Sequence, residues 1–521
     1  MLASQKFKDR ILDSYKSGNY SIVEQDATYL ISKGFTDPWL CNLLAISLAK
    51  QKKYLQAIKY FEILCQLNPN DSDSFFNLGN LYRDAKNPDL AIKYYKIAYN
   101  INPNHLETIT EISKIFYMKS DFDNSLKYAL KAKRLYPNSY KVIDLFGQIY
   151  FLTGDFNKSL NEYKKLDKFA ERKRENEINI ASNLFYLGYT EKAKKLLEGN
   201  KLDKAMYNLG LVYLKEKNFA KGWEYYDIGI NIKERYLRSR TKISSSLPLW
   251  SPDKKYKSIL VVGEQGLGDE IMFSTLLNNL CTNKYQLGLH LDKRLKNLFS
   301  YSGLKHEFLC LINDEVLQKY ESYLPIGSLC KYFLKNESDF VNLTNFKLKV
   351  NEDEKYQFKS LINNNKINIG ISWHTNNKQQ GSSRNIKLKQ FLPLFKLVEA
   401  NFINLQYGDH SEEISKVSKK LKKTIFLEDS IDNKLNLDSF AVKLSACDLV
   451  ISIDNSTLHF AGILGKETIG LIPEIADWRW FNDGKRSLWY PKTQLFRKSI
   501  SWDDQILKVI EFCKNKFVKI K

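Results

Sequence analysis

Apolar and small side chains recur at a fixed period through residues 1–235. Pro69, Pro103 and Pro137 are evenly spaced, and each follows a segment whose apolar side chains are spaced for one face of a helix. Proline ends a helix because its ring removes the backbone N–H donor and clashes with the preceding turn. The pattern therefore predicts an array of helix pairs, with one pair in each period.

Residues 72–105 carry the clearest copy of this repeat. Its defining positions alternate between large and small side chains: Phe75, Leu78, Gly79, Tyr82, Ala91, Tyr95, Ala98 and Pro103. Small residues let two helices approach closely, while large residues fill the groove between neighbouring pairs. These positions and the spacing of the prolines match the tetratricopeptide consensus, so residues 1–235 are predicted to form an α-solenoid. Such arrays present a concave face, where a peptide or protein partner is expected.

The pattern changes after the repeats. Residues 236–255 hold prolines and clustered serines, which predicts a linker. Beyond it, short apolar runs alternate with amphipathic segments, which predicts parallel sheets covered by helices. The expected strands are 259–262, 286–291, 367–373, 402–406, 448–453 and 468–472. The predicted fold class is an α-solenoid followed by an α/β region, with one lobe at 256–365 and another at 366–521.

The sequence GEQGLGDE, residues 263–270, comes directly after the first of these strands. Glycines at the carboxyl end of a strand let the backbone bend sharply and approach a ligand. Asp269 would then stand at the start of a helix predicted over 270–280, with its carboxylate facing a cleft. Two alternatives stay open. Asp269 only caps that helix, or the loop binds a dinucleotide together with Asp292, although Ile271 occupies the third glycine position of GxGxxG.

A second strand, turn and helix are predicted over residues 448–462. The turn contains Asp454, Ser456 and Thr457, and His459 follows on the next turn of the helix. Hydroxyl and N–H groups at the start of a helix bind anions, and the helix dipole reinforces this binding. A diphosphate is therefore expected on Ser456 and Thr457, within reach of His459. A packed structural role for His459 is the alternative.

Composition excludes several classes of protein. With 43% hydrophobic and 13% aromatic residues, the chain is too apolar for a disordered protein, and it has no apolar run of about 18 residues that could span a bilayer. The first residues show no secretory signal, which predicts a cytoplasmic location. The net charge of +21 is spread along the chain rather than gathered in arginine-rich tracts, so no nucleic-acid partner is expected. The seven cysteines lack CxxC spacing, which argues against disulfides and a zinc site.

A series of short motifs extends in order over residues 205–500. They are KGWEYY at 221–226, PLW at 248–250, EQGLGD at 264–269, GISW at 370–373, RNI at 384–386, DNSTLHFAG at 454–462, LGK at 464–466, DWRW at 477–480, WYP at 489–491 and LFR at 495–497. The series resembles the bacterial tetratricopeptide-containing glycosyltransferases related to the ADP-heptose heptosyltransferases and, more distantly, to the protein O-GlcNAc transferases. This resemblance implies a GT-B fold, in which two Rossmann-like lobes face each other across a cleft. The first lobe would hold the acceptor and the second the nucleotide-sugar.

The resemblance also implies roles for individual residues. Asp269 would be the general base that deprotonates an acceptor hydroxyl, and direct attack on the anomeric carbon would invert that carbon. Arg384 would meet the negative charge that develops on the leaving nucleoside diphosphate. The residues expected to bind the nucleotide-sugar are Gln265, Gly268, Trp373, His374, Lys378, Arg384, Asp454, Ser456, Thr457 and His459. No metal and no cofactor besides the donor are expected, and the acceptor would be a protein or glycan recruited by the repeats.

Two positions depart from the pattern of this family. Asn385 stands where a serine is usual, and Asn455 stands where a threonine or a small residue is usual. Two other classes of function therefore stay open, an interaction protein with an inactive transferase region and a dinucleotide-dependent enzyme. The Asp-x-Asp strings that begin at Asp71 and Asp121 lie in the repeats, and they are predicted to begin helices rather than to bind a metal.

Large aromatic residues gather near the end of the chain at Trp478, Trp480 and Trp489. Aromatic faces can stack on a sugar, but they more often fill a core. They are predicted to pin the final helix across the two lobes, with Arg479 lying over an indole.

Overall fold

The structure is a computed structural model in which the chain divides into two compact units, Met1–Lys173 and Arg174–Lys521. It describes residues 2–35, 37–119, 121–169, 172–264, 266–281, 285–362, 366–377, 381–422, 424–426 and 433–517. Within these residues the first unit is entirely helical, whereas the second unit also contains β-strands.

Helices follow one another in pairs through the first unit. They are α1 Leu2–Lys16, α2 Tyr20–Ser32, α3 Pro38–Lys50, α4 Tyr54–Leu67, α5 Ser72–Asp84, α6 Pro88–Ile101, α7 Leu106–Met118, α8 Phe122–Leu135, α9 Tyr140–Leu152 and α10 Phe156–Lys164, followed by a 3-10 helix at Lys165–Lys168. Each helix packs on its partner, α3 on α4, α5 on α6, α7 on α8 and α9 on α10. The predicted array of tetratricopeptide helix pairs is confirmed.

Polar side chains begin the second helix of three successive pairs. Asn87, Asp121 and Asp155 recur at the same interval as the prolines, and each side chain accepts a hydrogen bond from the backbone N–H three residues later. Asp71 caps α5 in the same way. Such a cap is worth about 1 kcal/mol because it satisfies an N–H that the helix leaves unpaired. The Asp-x-Asp strings therefore begin helices, as predicted.

Within a pair, a small residue on one helix accepts a large ring from the other. A Cβ atom on Gly79 would lie 2.5 Å from the ring of Tyr95, and one on Gly147 would lie 2.6 Å from the ring of Tyr163. Both tyrosine rings are buried. The glycine thus makes room for the ring, which explains why these two positions vary together along the repeat.

The second unit begins with further helices. They are α11 Lys173–Tyr186, α12 Thr190–Leu197, α13 Asp203–Lys215, α14 Phe219–Asn231 and α15 Arg240–Ser246. Helix α15 lies inside the segment 236–255 that was predicted as a linker. The rest of that segment is also ordered, since the backbone N–H of Trp250 donates to the carbonyl of Tyr323 at 2.8 Å. Ile243 and Leu247 are buried, and this apolar face holds α15 against the sheet region.

The first sheet contains four parallel strands in the described residues. They are β1 Ser258–Val262, β2 Gln286–His290, β3 Glu307–Phe308 and β4 Ser322–Pro325, in the order β3-β2-β1-β4. The helices of this region are α16 Leu267–Ser274, α17 Leu277–Cys281, α18 Lys296–Tyr301, α19 Asp314–Gln318, α20 Leu329–Phe333 and α21 Glu352–Leu361, with 3-10 helices at Lys293–Leu295, Ile326–Ser328 and Glu337–Asn345. The short strands β3 and β4 were not predicted.

Helix α16 differs from the helix predicted over 270–280. It begins at Leu267 after Gly266 at the cap position, and it ends at Ser274. Asp269 therefore lies inside the first turn rather than before the helix. The interpretation of Asp269 as a helix cap is wrong, because its carboxylate pairs with Arg479 instead.

The second sheet contains five parallel strands in the part of the chain that the structure describes. They are β5 Ile367–Ser372, β6 Ala400–Asn404, β7 Leu449–Ile453, β8 Thr468–Ile472 and β9 Thr493–Arg497, in the order β6-β5-β7-β8-β9. The helices are α22 Gly381–Arg384, α23 Leu392–Leu397, α24 Ser411–Leu421, α25 Leu437–Ser445, α26 Ser456–Ile463 and α27 Trp502–Phe517, with 3-10 helices at Leu388–Phe391 and Trp478–Trp480. The prediction of parallel sheets is confirmed, and only β9 was not predicted.

One apolar cluster runs through much of the second unit. It joins residues of α13 and α14, the first sheet, and the α25 and α26 side of the second sheet. Trp478, Trp480 and Trp489 belong to this cluster. The buried residues of α27 belong to a separate cluster on the other side of the second sheet. The prediction that the tryptophans pin the final helix is wrong, because Trp478 and Trp489 pack on Trp223 of α14 and Trp480 stacks on His459 of α26.

Candidate functional site

The carboxyl ends of strands from both sheets lead into one region. The glycine-rich loop joins β1 to α16, residues 373–377 follow β5, and Asp454 with Asn455 follows β7. The strand order of the first sheet reverses between β1 and β4, and that of the second sheet reverses between β5 and β7. Doubly wound sheets bind ligands at such positions because the loops on either side separate and leave a crevice.

A cavity of about 750 Å³ lies at these strand ends. It brings together six of the residues predicted from the sequence to form a site, and they are Gly268, Asp269, Arg384, Asp454, Ser456 and His459. The two distant loops around Asp269 and Ser456 therefore line one crevice. Its volume falls in the range of small-molecule sites.

Gly268 and His459 meet where α16 packs on α26. A Cβ atom on Gly268 would lie 3.0 Å from Cδ2 of His459, so a larger residue there would have to displace the imidazole. His459 Nδ1 lies 3.0 Å from the Tyr490 hydroxyl, and the ring stacks on Trp480. Burial lowers the pKa of His459 to about 4, so the imidazole is neutral near pH 7.

Five charged side chains alternate in sign along the cavity. Asp269 accepts from Arg479 Nε at 2.8 Å and also from its Nη2, and Asp477 accepts from Arg479 Nη1 at 2.6 Å. Arg384 then lies 3.5 Å from Asp477 and 3.1 Å from Asp454. Each guanidinium thus bridges two carboxylates. The row carries three negative and two positive charges.

The balance between burial and the neighbouring arginines differs for Asp454 and Asp477. It raises the pKa of Asp454, and the Arg384 guanidinium opposes this effect without cancelling it. Burial also opposes ionisation of Asp477, but the guanidiniums of Arg479 and Arg384 outweigh it and hold the pKa of Asp477 below its ordinary value. Asp477 is therefore a carboxylate that stays ionised between the two arginines.

Asn455 organises the start of α26. Its side-chain oxygen accepts from the backbone N–H of Thr457 at 3.0 Å, and its amide donates to Ser372 Oγ at 2.9 Å and to the carbonyl of His374 at 3.3 Å. It thus ties α26 to the end of β5. A threonine could cap the helix but could not also donate these two bonds.

Ser456 and Thr457 have different positions. Ser456 lines the cavity, whereas Thr457 is buried outside its described lining, and the Thr457 hydroxyl lies 3.5 Å from the carbonyl of Leu405. Asn455 already occupies the N–H of Thr457. At this helix start, Ser456 is the hydroxyl that reaches the cavity.

Trp373 and His374 also lie outside the described lining. Trp373 is fully buried, stacks on Phe426 and donates from Nε1 to Glu413 at 3.0 Å. The backbone N–H of His374 donates to Gln406 at 2.8 Å. Trp373 therefore fills the core beneath the sheet, and His374 contributes through its backbone to the packing of the strand ends.

Gln265 and Lys378 lie outside the residues that the structure describes. Beside Arg384, Asn385 accepts from the backbone N–H of Thr375 at 2.7 Å and donates to the Thr375 carbonyl at 3.1 Å. This pair of hydrogen bonds from one amide to a loop residue fixes the base of the Arg384 segment. Asn385 thus supports the cavity wall rather than lining it.

A helical wall closes the cavity on another side, and the sequence did not predict it. It is formed by Phe185, Tyr186, Tyr207, Leu211 and Glu234, which come from α11, from α13 and from the segment after α14. The sequence pattern assigns these helices to the repeats alone. The KGWEYY motif at 221–226 was the available signal, because it stands in the series that continues into the sheets.

Other lining residues were also missed. They are Leu267, Thr375, Asn377, Tyr407, Asn455, Asp477, Trp478 and Arg479. The prediction that Arg479 lies over an indole is confirmed, since its guanidinium is 4.4 Å from the Trp478 ring centre. Its contact with Asp269, 210 residues earlier, has no local sequence signal.

A buried ion pair supports the loop that carries Asp269. Arg235 donates to both carboxylate oxygens of Glu264, at 2.8 and 2.7 Å, and also to Asp227 at 2.6 Å. Arg235 and Glu264 are almost entirely buried. The end of the helical segment is thus fastened to the glycine-rich loop. Removal of Arg235 would leave the buried Glu264 carboxyl without its cation, and breaking a buried pair in this way costs about 3–5 kcal/mol.

Asp292, the residue of the dinucleotide alternative, is engaged by arginines. Its carboxylate accepts from Arg294 at 2.9 and 2.7 Å and lies 3.4 Å from Arg238. Burial opposes ionisation of Asp292, but these bonds hold its pKa below the ordinary value.

The described part of the chain contains neither a metal-binding cluster nor a membrane-spanning helix. No three His, Cys, Asp or Glu side chains among those residues are grouped so that they could hold a metal ion. No helix among them is both long enough and apolar enough to cross a membrane.

Comparison with known proteins identifies the repeats. A family model for the tetratricopeptide repeat matches residues 42–105. Among solved structures, a tetratricopeptide repeat protein from Parabacteroides merdae is 14% identical and covers 44% of this chain and 92% of its own, with a TM-score of 0.40. The C-terminal part of a repeat protein from Cytophaga hutchinsonii is 20% identical and covers 43% and 93%, with a TM-score of 0.35.

One curated relative matches a longer part of the chain than the repeat family does. Protein FlbA of Caulobacter vibrioides is 25% identical over 299 residues, which represent 53% of this chain and 49% of FlbA. The chain thus spans about half the length of the curated relative that it matches. The comparisons support a protein with tetratricopeptide repeats, which indicate an interaction role.

Proposed function

We propose that this protein is an inverting, metal-independent glycosyltransferase of the GT-B type. The observation that carries the proposal is the cavity in which Asp269 from the β1 loop meets Arg384, Ser456 and His459 from the second sheet. In a GT-B enzyme one lobe holds the acceptor and the other the nucleotide-sugar, and two parallel sheets that share a crevice at their strand ends suit this division.

In the proposed reaction, Asp269 takes the proton of an acceptor hydroxyl while that oxygen attacks the anomeric carbon of the donor. The new carbon–oxygen bond forms as the bond to the diphosphate oxygen breaks, and its electron pair leaves with the nucleoside diphosphate. Attack opposite to the leaving group inverts the anomeric carbon. Arg384, Ser456 and the positive end of the α26 dipole stabilise the charge on the diphosphate.

The repeats supply the second part of the proposal. Tetratricopeptide arrays bind partners on their concave face, and we assign to them the recruitment of a protein or glycan acceptor. His459, which is neutral near pH 7, forms a hydrogen bond to the donor without adding charge.

The test uses a panel of nucleotide-sugars and nucleoside diphosphates with the full-length protein. We expect at least one nucleoside diphosphate to raise the melting temperature and the matching nucleotide-sugar to be hydrolysed or transferred. Asp269→Asn should still bind the nucleoside diphosphate, at least as tightly as the unaltered protein, and lower turnover by at least ~100-fold, since it removes the general base. Asp314→Asn is the matched control, because Asp314 is exposed and lies outside the cavity lining. Full turnover by Asp269→Asn would remove Asp269 from the catalytic role.

One observation favours a second candidate, an interaction protein whose transferase region is inactive. The row of charges from Asp269 to Asp454 is already paired without a ligand. For this candidate we expect no stabilisation by any nucleoside diphosphate and no turnover of any donor. The same panel therefore separates the two functions.

A further inference from the structure

Arg479 lies in the cavity and contacts the proposed general base, although the proposed reaction gives it no role. Its guanidinium lies over the Trp478 ring at 4.4 Å and is anchored to Asp477, and its Nε edge holds Asp269. It connects the turn at Trp478–Trp480 to the first turn of α16. The carboxylate that should accept a proton is therefore already bound to a cation.

The charges of the cavity set the conditions for an anionic ligand. The described lining contains two arginines, Arg384 and Arg479, and no lysine. Each of these arginines bridges two carboxylates. His459 is neutral near pH 7 because burial lowers its pKa. A diphosphate that enters beside Arg384 would thus add negative charge to a row that already has one carboxylate in excess. Among the described lining residues, a cation that meets the diphosphate must therefore leave a carboxylate.

We propose that Arg479 is a donor-binding residue that exchanges partners. It holds Asp269 when the donor is absent and turns its Nε edge to the diphosphate when the donor binds, which releases Asp269 to accept the acceptor proton. This inference rests on the proposed function. The exchange breaks one ion pair and forms another, and no covalent bond changes.

Two features make Arg479 better suited to this exchange than Arg384. Asp477 and Trp478 hold the Nη1 side and the face of the Arg479 guanidinium, so the group keeps an anchor while its other edge changes partner. The planar fork of a guanidinium also binds phosphate oxygens in the same two-point manner as a carboxylate. Arg384 lies between Asp454 and Asp477 at 3.1 and 3.5 Å, so neither of its carboxylates holds it at two points as Asp269 holds Arg479.

The experiment measures the affinity of the full-length protein for the nucleoside diphosphate that stabilises it most. Asp269→Asn keeps the shape of the side chain but removes its charge, so Arg479 becomes available and one repulsion disappears. We expect about tenfold tighter binding. Arg479→Ala should weaken binding by about tenfold or more. In the double variant Asp269→Asn/Arg479→Ala, the gain from Asp269→Asn should disappear.

Asp314→Asn and Arg486→Ala are the controls, because both residues are exposed and lie outside the cavity lining. If Arg479→Ala does not fold, Arg479→Lys replaces it in both the single and the double variant, and a gain from Asp269→Asn that persists in the double variant overturns the exchange. Unchanged or weaker binding by Asp269→Asn overturns the exchange while the proposed function stands. Failure of every nucleoside diphosphate to bind the unaltered protein overturns the proposed function, and the exchange with it.

Discussion

The helix pairs α5–α6 and α13–α14 are similar in sequence, but their tyrosine rings pack against different partners. The first pair lies in the first unit and the second pair in the second unit. In both, a glycine of the first helix is matched with a tyrosine of the second at the same spacing, Gly79 with Tyr95 and Gly210 with Tyr226. In α5–α6 the tyrosine ring fills the space of the missing side chain. In α13–α14 the glycine lies against the chain at Tyr225 and Tyr226 instead, and a Cβ atom there would be 2.8 Å from Cβ of Tyr225 and 2.9 Å from the backbone nitrogen of Tyr226.

The tyrosine ring of the second pair is consequently free to pack elsewhere. Tyr226 lies against Phe273 and Trp478, while Trp223 packs edge-on against Trp478 and Trp489. The repeat pattern thus specifies a helix hairpin in both places. Which face the hairpin buries depends on the neighbouring part of the chain, and in the second unit that neighbour is the sheet region and its cavity.

The largest effect is expected when the chain is divided between these two regions. A protein of residues 236–521 would lack Phe219, Trp223 and Tyr226, whose burial belongs to the core of the sheets. Loss of a buried aromatic side chain costs roughly 3–5 kcal/mol, so the loss of three, about 9–15 kcal/mol, is as large as the stability of a typical domain. We expect no cooperative unfolding transition by near-ultraviolet circular dichroism.

Residues 174–521 are the control for this division, since they form a compact unit. We expect this longer protein to unfold cooperatively. A folded 236–521 protein would show that α13 and α14 belong to the repeats alone.

Acid should destabilise the second unit through His459. Its pKa is about 4 in the folded protein and about 6.5 when unfolded. Between these values the unfolded state binds more protons. The contribution of His459 to the free energy of unfolding is therefore fully present above pH 6.5 and is lost as the pH drops towards 4. The loss should reach about 3 kcal/mol. His459→Gln should remove this part of the pH dependence in urea titrations, whereas His105→Gln in the first unit should leave it unchanged.

The smallest effects are expected at the two glycines. Gly79→Ala places a methyl group against the side-chain ring of Tyr95, and Gly210→Ala places one against Cβ of Tyr225 and the helix backbone at Tyr225 and Tyr226. A ring can shift more easily than a helix backbone, so Gly210→Ala should cost more. Overpacking of this kind costs about 1–3 kcal/mol, and the better helix propensity of alanine offsets up to about 1 kcal/mol. Urea titrations of both variants test this order. An equal cost would mean that the Tyr95 ring and the α14 backbone shift with equal ease.

Local signals made much of the fold predictable. The prolines at a constant period and the apolar runs of β1, β2 and β5 to β8 appear directly in the sequence, because each depends on neighbouring residues. The short strands β3 and β4 were missed, since two to four residues carry too little pattern. Strand β9, TQLFR, is only partly buried and carries polar residues, so it does not read as a buried strand.

The candidate site was predictable only where it follows a strand. Asp269, Asp454 and Ser456 stand shortly after strands, and parallel strands bring such positions to one edge. The helical wall and the pairing of Arg479 with Asp269 depend on how distant segments pack. No spacing in the sequence encodes a contact between residues so far apart.

The apolar cluster shared by the two sheets has a mechanical consequence. Lobes that are joined only by a linker can rotate apart, whereas separating these two would expose a core that runs from Phe273 to Phe460. A large apolar interface opposes rotation of the parts that it joins. The second unit should therefore resist hinge opening at its crevice.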